Sequence, residues 1–359
     1  MSGTTAFYYS DAMMQYYFGE EHPFQPIRYR KIREKLDEIG AFGPALELRE
    51  SAPVKLEALR TVHTRSYIDH VRECSKLGRG YLDKGDTPVT PNLYQGALAV
   101  TGATIMGAEA VAKGEVQHAL NPAGGMHHAH PSEGSGFCVF NDLAVATRML
   151  QRRYGYDRIA IIDIDAHHGD GTQDIFYEEE VLTISLHRFG PGFFPGTGKM
   201  TDIGRNDGLG YSINVPLPAG IQDECYLWAY DKVVTEALGA FQPDFILHQF
   251  GTDAHFGDSL ADLGLTTKAY ERIAEMAHDL AHKHCGGRLV VTGGGGYNID
   301  ASIRAWALVS CAVSGAFPYD PEALHHLQDS RIHHRPPFSE QEVVDTVDYI
   351  IEKVIPYIH

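Results

Sequence analysis

Cysteine is scarce and never set at metal-binding spacing: the 359 residues hold five (Cys74, Cys138, Cys225, Cys285 and Cys311), with no CxxC pair. An odd, unpatterned set argues against a disulfide framework and against a cysteine-built zinc site. Cys138, in Gly136-Phe137-Cys138, sits close to the chemistry described below, and the other four read as small buried hydrophobes. Long apolar runs are also missing, so no membrane partner is expected. The start, Met1-Ser2-Gly3-Thr4-Thr5, lacks the basic opening and apolar centre of a secretory signal, which makes the cytoplasm the expected location. Basic charge is short: 30 Lys and Arg stand against 47 Asp and Glu, a net −17. Binding by phosphate neutralisation is disfavoured, so no direct nucleic-acid contact is expected. An acidic surface suits cationic substrates and keeps a protein soluble. Internal repeats and compositional breaks are absent, and residues 1–359 read as one domain. Nothing in the sequence fixes an oligomeric state.

Histidine, by contrast, is plentiful at 20 residues. His325, His326, His333 and His334, near Pro336-Pro337, read as a solvated surface loop. The informative ones lie elsewhere. In Ile161-Ile162-Asp163-Ile164-Asp165-Ala166-His167-His168-Gly169-Asp170-Gly171 an apolar strand breaks into alternating acids and then paired imidazoles. Period-two alternation sends Asp163 and Asp165 to one side, and His167 continues it. Buried carboxylates are costly without a counter-ion and nothing basic is adjacent, so a metal ion is the economical partner.

Apolar strands are expected at Ala6–Tyr9, Val116–Leu120, Arg158–Ile164, Val181–Leu186, Tyr211–Val215, Asp244–Phe250 and Arg288–Thr292. Helices are expected at Arg28–Ile39, Asn92–Ala112, Asn141–Tyr154, Cys225–Leu238 and Thr267–His284. Alternating helices and doubly apolar strands indicate an α/β fold with a covered parallel sheet. Polar clusters follow four of the strands: Gly124–His130, Asp165–Asp170, Gly251–Asp258 and Gly293–Tyr297. Sites in such sheets form beyond the carboxyl ends of strands, and these clusters are expected to meet there.

A hydrolytic metal centre needs a few nitrogen or oxygen ligands and an open position. Asp165 and His167 supply two ligands and Asp253 a third, a set that suits zinc or iron(II) without deciding between them. Gly124-Gly125-Met126-His127-His128 adds two imidazoles as candidate acid and base, with Asp163 and Asp170 as the carboxylates that orient them. Tyr297, at the end of Gly293-Gly294-Gly295-Gly296, is a candidate donor to an oxyanion. No Lys-Ser/Thr follows that glycine run, which excludes a phosphate-binding P-loop.

These motifs, with His22-Pro23 through Arg28, Ser135–Cys138 through Asn141-Asp142 and Phe193–Gly198, resemble the zinc-dependent histone deacetylase superfamily. The chain looks class I-like, nearest the bacterial acetoin-utilisation branch, along almost its whole length. The resemblance implies the arginase/deacetylase fold, a parallel sheet of about eight strands between helical layers. It implies Zn²⁺ on Asp165, His167 and Asp253, an acid/base pair in His127 and His128, and Tyr297 polarising the acyl carbonyl. Phe137 and Phe194 would wall a substrate tunnel with Gly136 and Gly295, Leu260 and Asp86 would stand at its rim, and Arg28, Met126 and Cys138 would border the acyl pocket. Met126 replaces the aromatic residue of eukaryotic relatives, and His255 is expected beside the centre without ligating it. Potassium would bind near the zinc through backbone oxygens of Asp163, Asp165, His167 and Leu186 with the Ser185 hydroxyl. A second monovalent site would use Phe176, Glu179, Leu182 and Tyr211. The implied activity is removal of acetyl or short acyl groups from acyl-lysine or a small N-acyl amine such as an acetylpolyamine or xenobiotic amide. The rivals are an arginase-like dimanganese ureohydrolase and a silent acyl-lysine-binding module.

Overall fold

A computed structural model describes residues 3–316, 322–330 and 337–359 of the chain. Eight strands build one sheet: β1 (Thr5–Tyr9), β2 (Leu46–Glu50), β3 (His118–Asn121), β4 (Ile159–Asp163), β5 (Leu182–Arg188), β6 (Ser212–Leu217), β7 (Phe245–Gln249) and β8 (Leu289–Thr292). All pairings are parallel, and the order across the sheet is β2-β1-β3-β8-β7-β4-β5-β6. This is the α/β architecture expected from the sequence, consistent with the arginase/deacetylase fold.

Burial explains the parallel arrangement. Strands β1, β3, β4, β7 and β8 are buried at every position, so both faces must be covered by helices. The helix Leu93–Ala112 is long and rich in Gly and Ala, and 14 of its residues are buried. Its Gly96 and Gly102 lie where a Cβ would run into the backbones of Gln15–Tyr16 and of Ala52–Val54. The helix Thr267–Cys285 starts on a Thr266 side-chain cap and ends on Gly286 at φ +61°, the left-handed stop its sequence announces.

Several elements depart from the sequence reading. β2 pairs with β1 at the edge of the sheet, and only Leu46 of its five residues is buried, so charge hides its strand pattern. The expected helix Asn141–Tyr154 is an α-helix over Asp142–Met149 that widens into a π-helical turn over Leu150–Tyr154. His325 and His326 lie on a short helix, Glu322–Leu327, where both are exposed, rather than on a loop. His333, His334 and Pro336 lie outside the described residues. Among the described residues no helix is long and apolar enough to cross a membrane.

The order β3-β8-β7-β4 places four strands side by side at the middle of the sheet. Their carboxyl ends lead into the four polar clusters singled out in the sequence, so segments more than a hundred residues apart open onto one spot.

Candidate active site

Asp165, His167 and Asp253 converge just past the ends of β4 and β7. One ligand atom from each lies within 4.8 Å of the other two, and all three residues are buried. His167 Nδ1 stands 2.9 Å from Asp253 Oδ2 and 3.1 Å from Asp165 Oδ1. Ligands about 2.0–2.1 Å from a tetrahedral zinc stand about 3.3 Å apart, so the spacing fits one divalent ion. The remaining lone pairs are occupied from behind. Asp165 Oδ2 accepts from Gly295 N at 2.7 Å and Gln249 Nε2 at 2.8 Å, and Asp253 Oδ1 accepts from Ala166 N at 2.8 Å. Among the described residues, the cationic groups within 4.0 Å of Asp165 and Asp253 are imidazoles. Burial and the Asp165 charge push the Asp253 carboxyl up to about 7. Two crowded acids and one imidazole in a buried space are the donor set a cation relieves.

The glycine-rich segment after β3 carries the histidine pair. Asp142 fixes it, accepting from Gly125 N at 3.0 Å and Met126 N at 2.8 Å, while Asn141 Nδ2 donates to the carbonyls of His127 and Ala129. His127 Nδ1 donates to Asp163 Oδ2 and His128 Nδ1 to Asp170 Oδ1, each at 2.6 Å. These are the two pairs expected from the sequence. The rings lie 4.0 Å apart, and their environments differ. Burial pulls the His127 cation down, but Asp163 and Asp165 outweigh it and raise the group to about 9. Burial and the adjoining His127 lower His128 to about 4 despite Asp170. The two neighbouring imidazoles thus differ in basicity, the kind of difference that separates an acid from a base.

Tyr297 follows the glycine turn after β8. Arg28 holds that turn, donating from Nη2 to Gly294 O at 2.6 Å and from Nη1 to Gly296 O at 2.7 Å. Asp258 holds the next step, accepting from Tyr297 N at 2.7 Å. Burial, with the charges of Asp253 and Asp165, raises the Tyr297 phenol well above its usual value, so the hydroxyl keeps its proton. Arg28, expected beside an inner cavity, is buried and gives both bonds to these backbone carbonyls. Gly295, expected against substrate, gives its N–H to Asp165.

Aromatic rings line the approach. Phe194 packs edge-on to His128 at 5.0 Å, Phe137 edge-on to Tyr297 at 5.9 Å, and Phe193 stacks on His167 at 5.0 Å. Gly136 has φ +51° and lies where a Cβ would run into the His128 ring. Phe194 and Leu260 are 38 % and 40 % exposed, so the aromatic wall opens to solvent at this end. Asp83, Asp86, Glu133 and Asp170 line an acidic cleft of about 490 Å³ together with Phe194 and Pro195. Burial and the Asp83 carboxylate raise Asp86 to about 6. Met126 is buried and accepts a hydrogen bond from Tyr16 at 3.1 Å, while the Cys138 thiol is buried against Gly136 O.

The Ser185 hydroxyl stands 3.0 Å from His187 Nδ1. In the second monovalent set, Phe176 O and Tyr211 O accept from Glu179 N and Thr183 N, while Leu182 opens β5. His255 pairs through Nε2 with Asp329 Oδ2 at 2.9 Å and accepts from Gly257 N at Nδ1, which occupies both ring nitrogens away from the ligand cluster. Sequence reasoning missed Asp258, Gln249 and the roles of Asn141 and Asp142, although all but Gln249 lie inside motifs already singled out.

Residues 22–313 match the histone deacetylase domain model. Acetoin utilization protein AcuC of Bacillus subtilis is 40% identical over 323 residues, covering 88% of this chain and 83% of its own. A probable deacetylase of Archaeoglobus fulgidus is 35% identical over 335 residues, covering 89% and 91%. Histone deacetylase 8 of Xenopus tropicalis is 36% identical over 287 residues, covering 77% and 76%. The chain belongs to the histone deacetylase family.

Proposed function

We propose that residues 1–359 act as one catalytic unit, a zinc-dependent deacylase that hydrolyses the amide of N-acetyl or short N-acyl lysine, or of a related N-acyl amine. The observation that carries this reading is the convergence of Asp165, His167 and Asp253 beside two carboxylate-paired histidines. A zinc ion held by those three would supply Lewis acidity, polarising the acyl carbonyl and acidifying water.

The rest is done by the chain's own side chains. Phe137 and Phe194 guide an alkyl stem inward and exclude water from around it. The acidic cleft with Asp86 attracts an amine-bearing substrate at the mouth. Of His127 and His128, the neutral ring accepts a proton at Nε2 as water attacks. The protonated ring returns one to the departing amine. Asp163 and Asp170 hold the tautomers that leave Nε2 free for this exchange. Tyr297 donates its hydroxyl proton in a hydrogen bond to the oxygen on which charge develops. Monovalent potassium near Ser185 and Leu186 would brace the loop that carries Asp165 and His167.

The ureohydrolase reading needs a bridged two-metal centre with more aspartates than the cluster holds. The silent-module reading fits poorly with an intact Tyr297 and histidine pair. A panel of acyl-lysine peptides, acetylpolyamines and small amides at several acyl lengths, assayed with zinc-loaded protein, tests the proposal. Turnover that falls sharply in Tyr297→Phe supports it. Tight binding of the peptides without turnover on any member overturns it.

A further inference from the structure

A second imidazole cluster lies at the opposite end of the sheet. His118 opens β3, whose far end leads to the catalytic loop, and His278 and His282 stand one turn apart on the helix Thr267–Cys285. One ring nitrogen from each lies within 4.8 Å of the other two. Ring centroids are 5.0 Å apart for His118 and His278, 5.2 Å for His118 and His282, and 4.4 Å for His278 and His282. His118 is only 2% exposed, and its Nδ1 is buried with no hydrogen-bond partner. A buried polar nitrogen left unpaired is costly and calls for a partner.

We propose that His118, His278 and His282 form a second metal site, distinct from the catalytic one, for a borderline divalent ion such as Zn²⁺ or Ni²⁺. Three imidazoles without a carboxylate ligand disfavour Mg²⁺ and Ca²⁺, which take oxygen. Burial and the two neighbouring histidines lower His118 to about 3, so it is neutral, the form that ligates. Asp279 Oδ1 stands 3.4 Å from His278 Nδ1, an outer carboxylate of the kind that orients a ligating ring. His282 is exposed and His278 half-buried, which gives an ion a path from solvent and leaves a coordination position for water. Such an ion would pin the helix to the start of β3 and act on stability, since the reacting groups lie beyond the other end of that strand.

The test is metal content by mass spectrometry of wild-type protein, His278→Gln and His282→Gln, each equilibrated with Zn²⁺ and freed of excess, alongside melting with and without added Zn²⁺. The expected result is the loss of about one ion per chain in each variant. A Zn²⁺-dependent rise in melting temperature disappears with it, while turnover is retained. Equal metal content and equal Zn²⁺ response in all three proteins would overturn the proposal, as would loss of turnover together with the ion. A wild-type stoichiometry near two, with one ion lost in the variants, is then no sign of a ureohydrolase centre.

Discussion

Asp258 accepts a hydrogen bond from the backbone N–H of Tyr297 at 2.7 Å, and its other oxygen accepts from Leu260 N at 2.9 Å. One carboxylate therefore ties Tyr297, the proposed oxyanion donor, to the exposed segment that carries Leu260. Replacing it with alanine frees both and lets the hydroxyl drift. Asp258→Ala is expected to lower kcat by about 10²-fold, the cost of misplacing a reacting group by about an ångström. Asp258→Asn keeps one acceptor oxygen and should lose less. Steady-state kinetics of both variants, with circular dichroism to confirm folding, checks the order.

Gly136 governs the width of the approach. Its φ of +51° and the nearby His128 ring both resist a side chain, while Phe194 Cε1 would stand 3.0 Å from an added Cβ. Gly136→Ala is expected to reduce kcat/KM by roughly 10²-fold by displacing His128 or Phe194. Metal content should be unchanged, which separates this effect from loss of the ligand cluster.

Arg28 reaches across the fold to two carbonyls of the turn that positions Tyr297. Arg28→Met keeps bulk and leaves both carbonyls unpaired in a buried setting. A stability loss of about 2–4 kcal/mol is expected in urea unfolding, together with a fall in turnover.

Acid should weaken the fold through His63. Its ring donates from Nδ1 to His130 O at 3.0 Å and accepts at Nε2 from Asn141 N at 2.9 Å, an arrangement only the neutral form satisfies. Burial lowers the group to about 4 from an ordinary 6.5. The unfolded chain therefore binds the extra proton first. This contribution is complete above pH 6.5 and drains away as pH falls towards 4, by up to about 3 kcal/mol. Urea midpoints between pH 7 and pH 4 should show the slope, and it should flatten in His63→Gln.

Much of the site was legible because its motifs follow strands. Asp165-Ala166-His167 declares itself by alternation, and the pairing of His127 and His128 with Asp163 and Asp170 followed from chemistry. Gln249 was not legible. It carries no motif, and its partner Asp165 lies 84 residues away in sequence, brought close only because β4 and β7 are neighbours. Arg28 was noticed, but its partners were not legible, since nothing local shows that they are carbonyls 266 and 268 residues away. The fold was readable wherever strands are buried on both faces. β2 escaped because Glu47, Arg49 and Glu50 break its apolar pattern while Leu48 faces outward, and the widened turn at Leu150–Tyr154 leaves no mark in helical periodicity.

The most direct measurement is acyl-amine hydrolysis by protein stripped with a chelator and then returned to stoichiometric Zn²⁺, in wild type and in Asp253→Asn. Wild type should lose turnover on stripping and regain it on return, while Asp253→Asn stays inactive throughout. Full turnover by the stripped wild type, or an Asp253→Asn protein as active as wild type, would contradict a reaction that depends on an ion held by Asp165, His167 and Asp253.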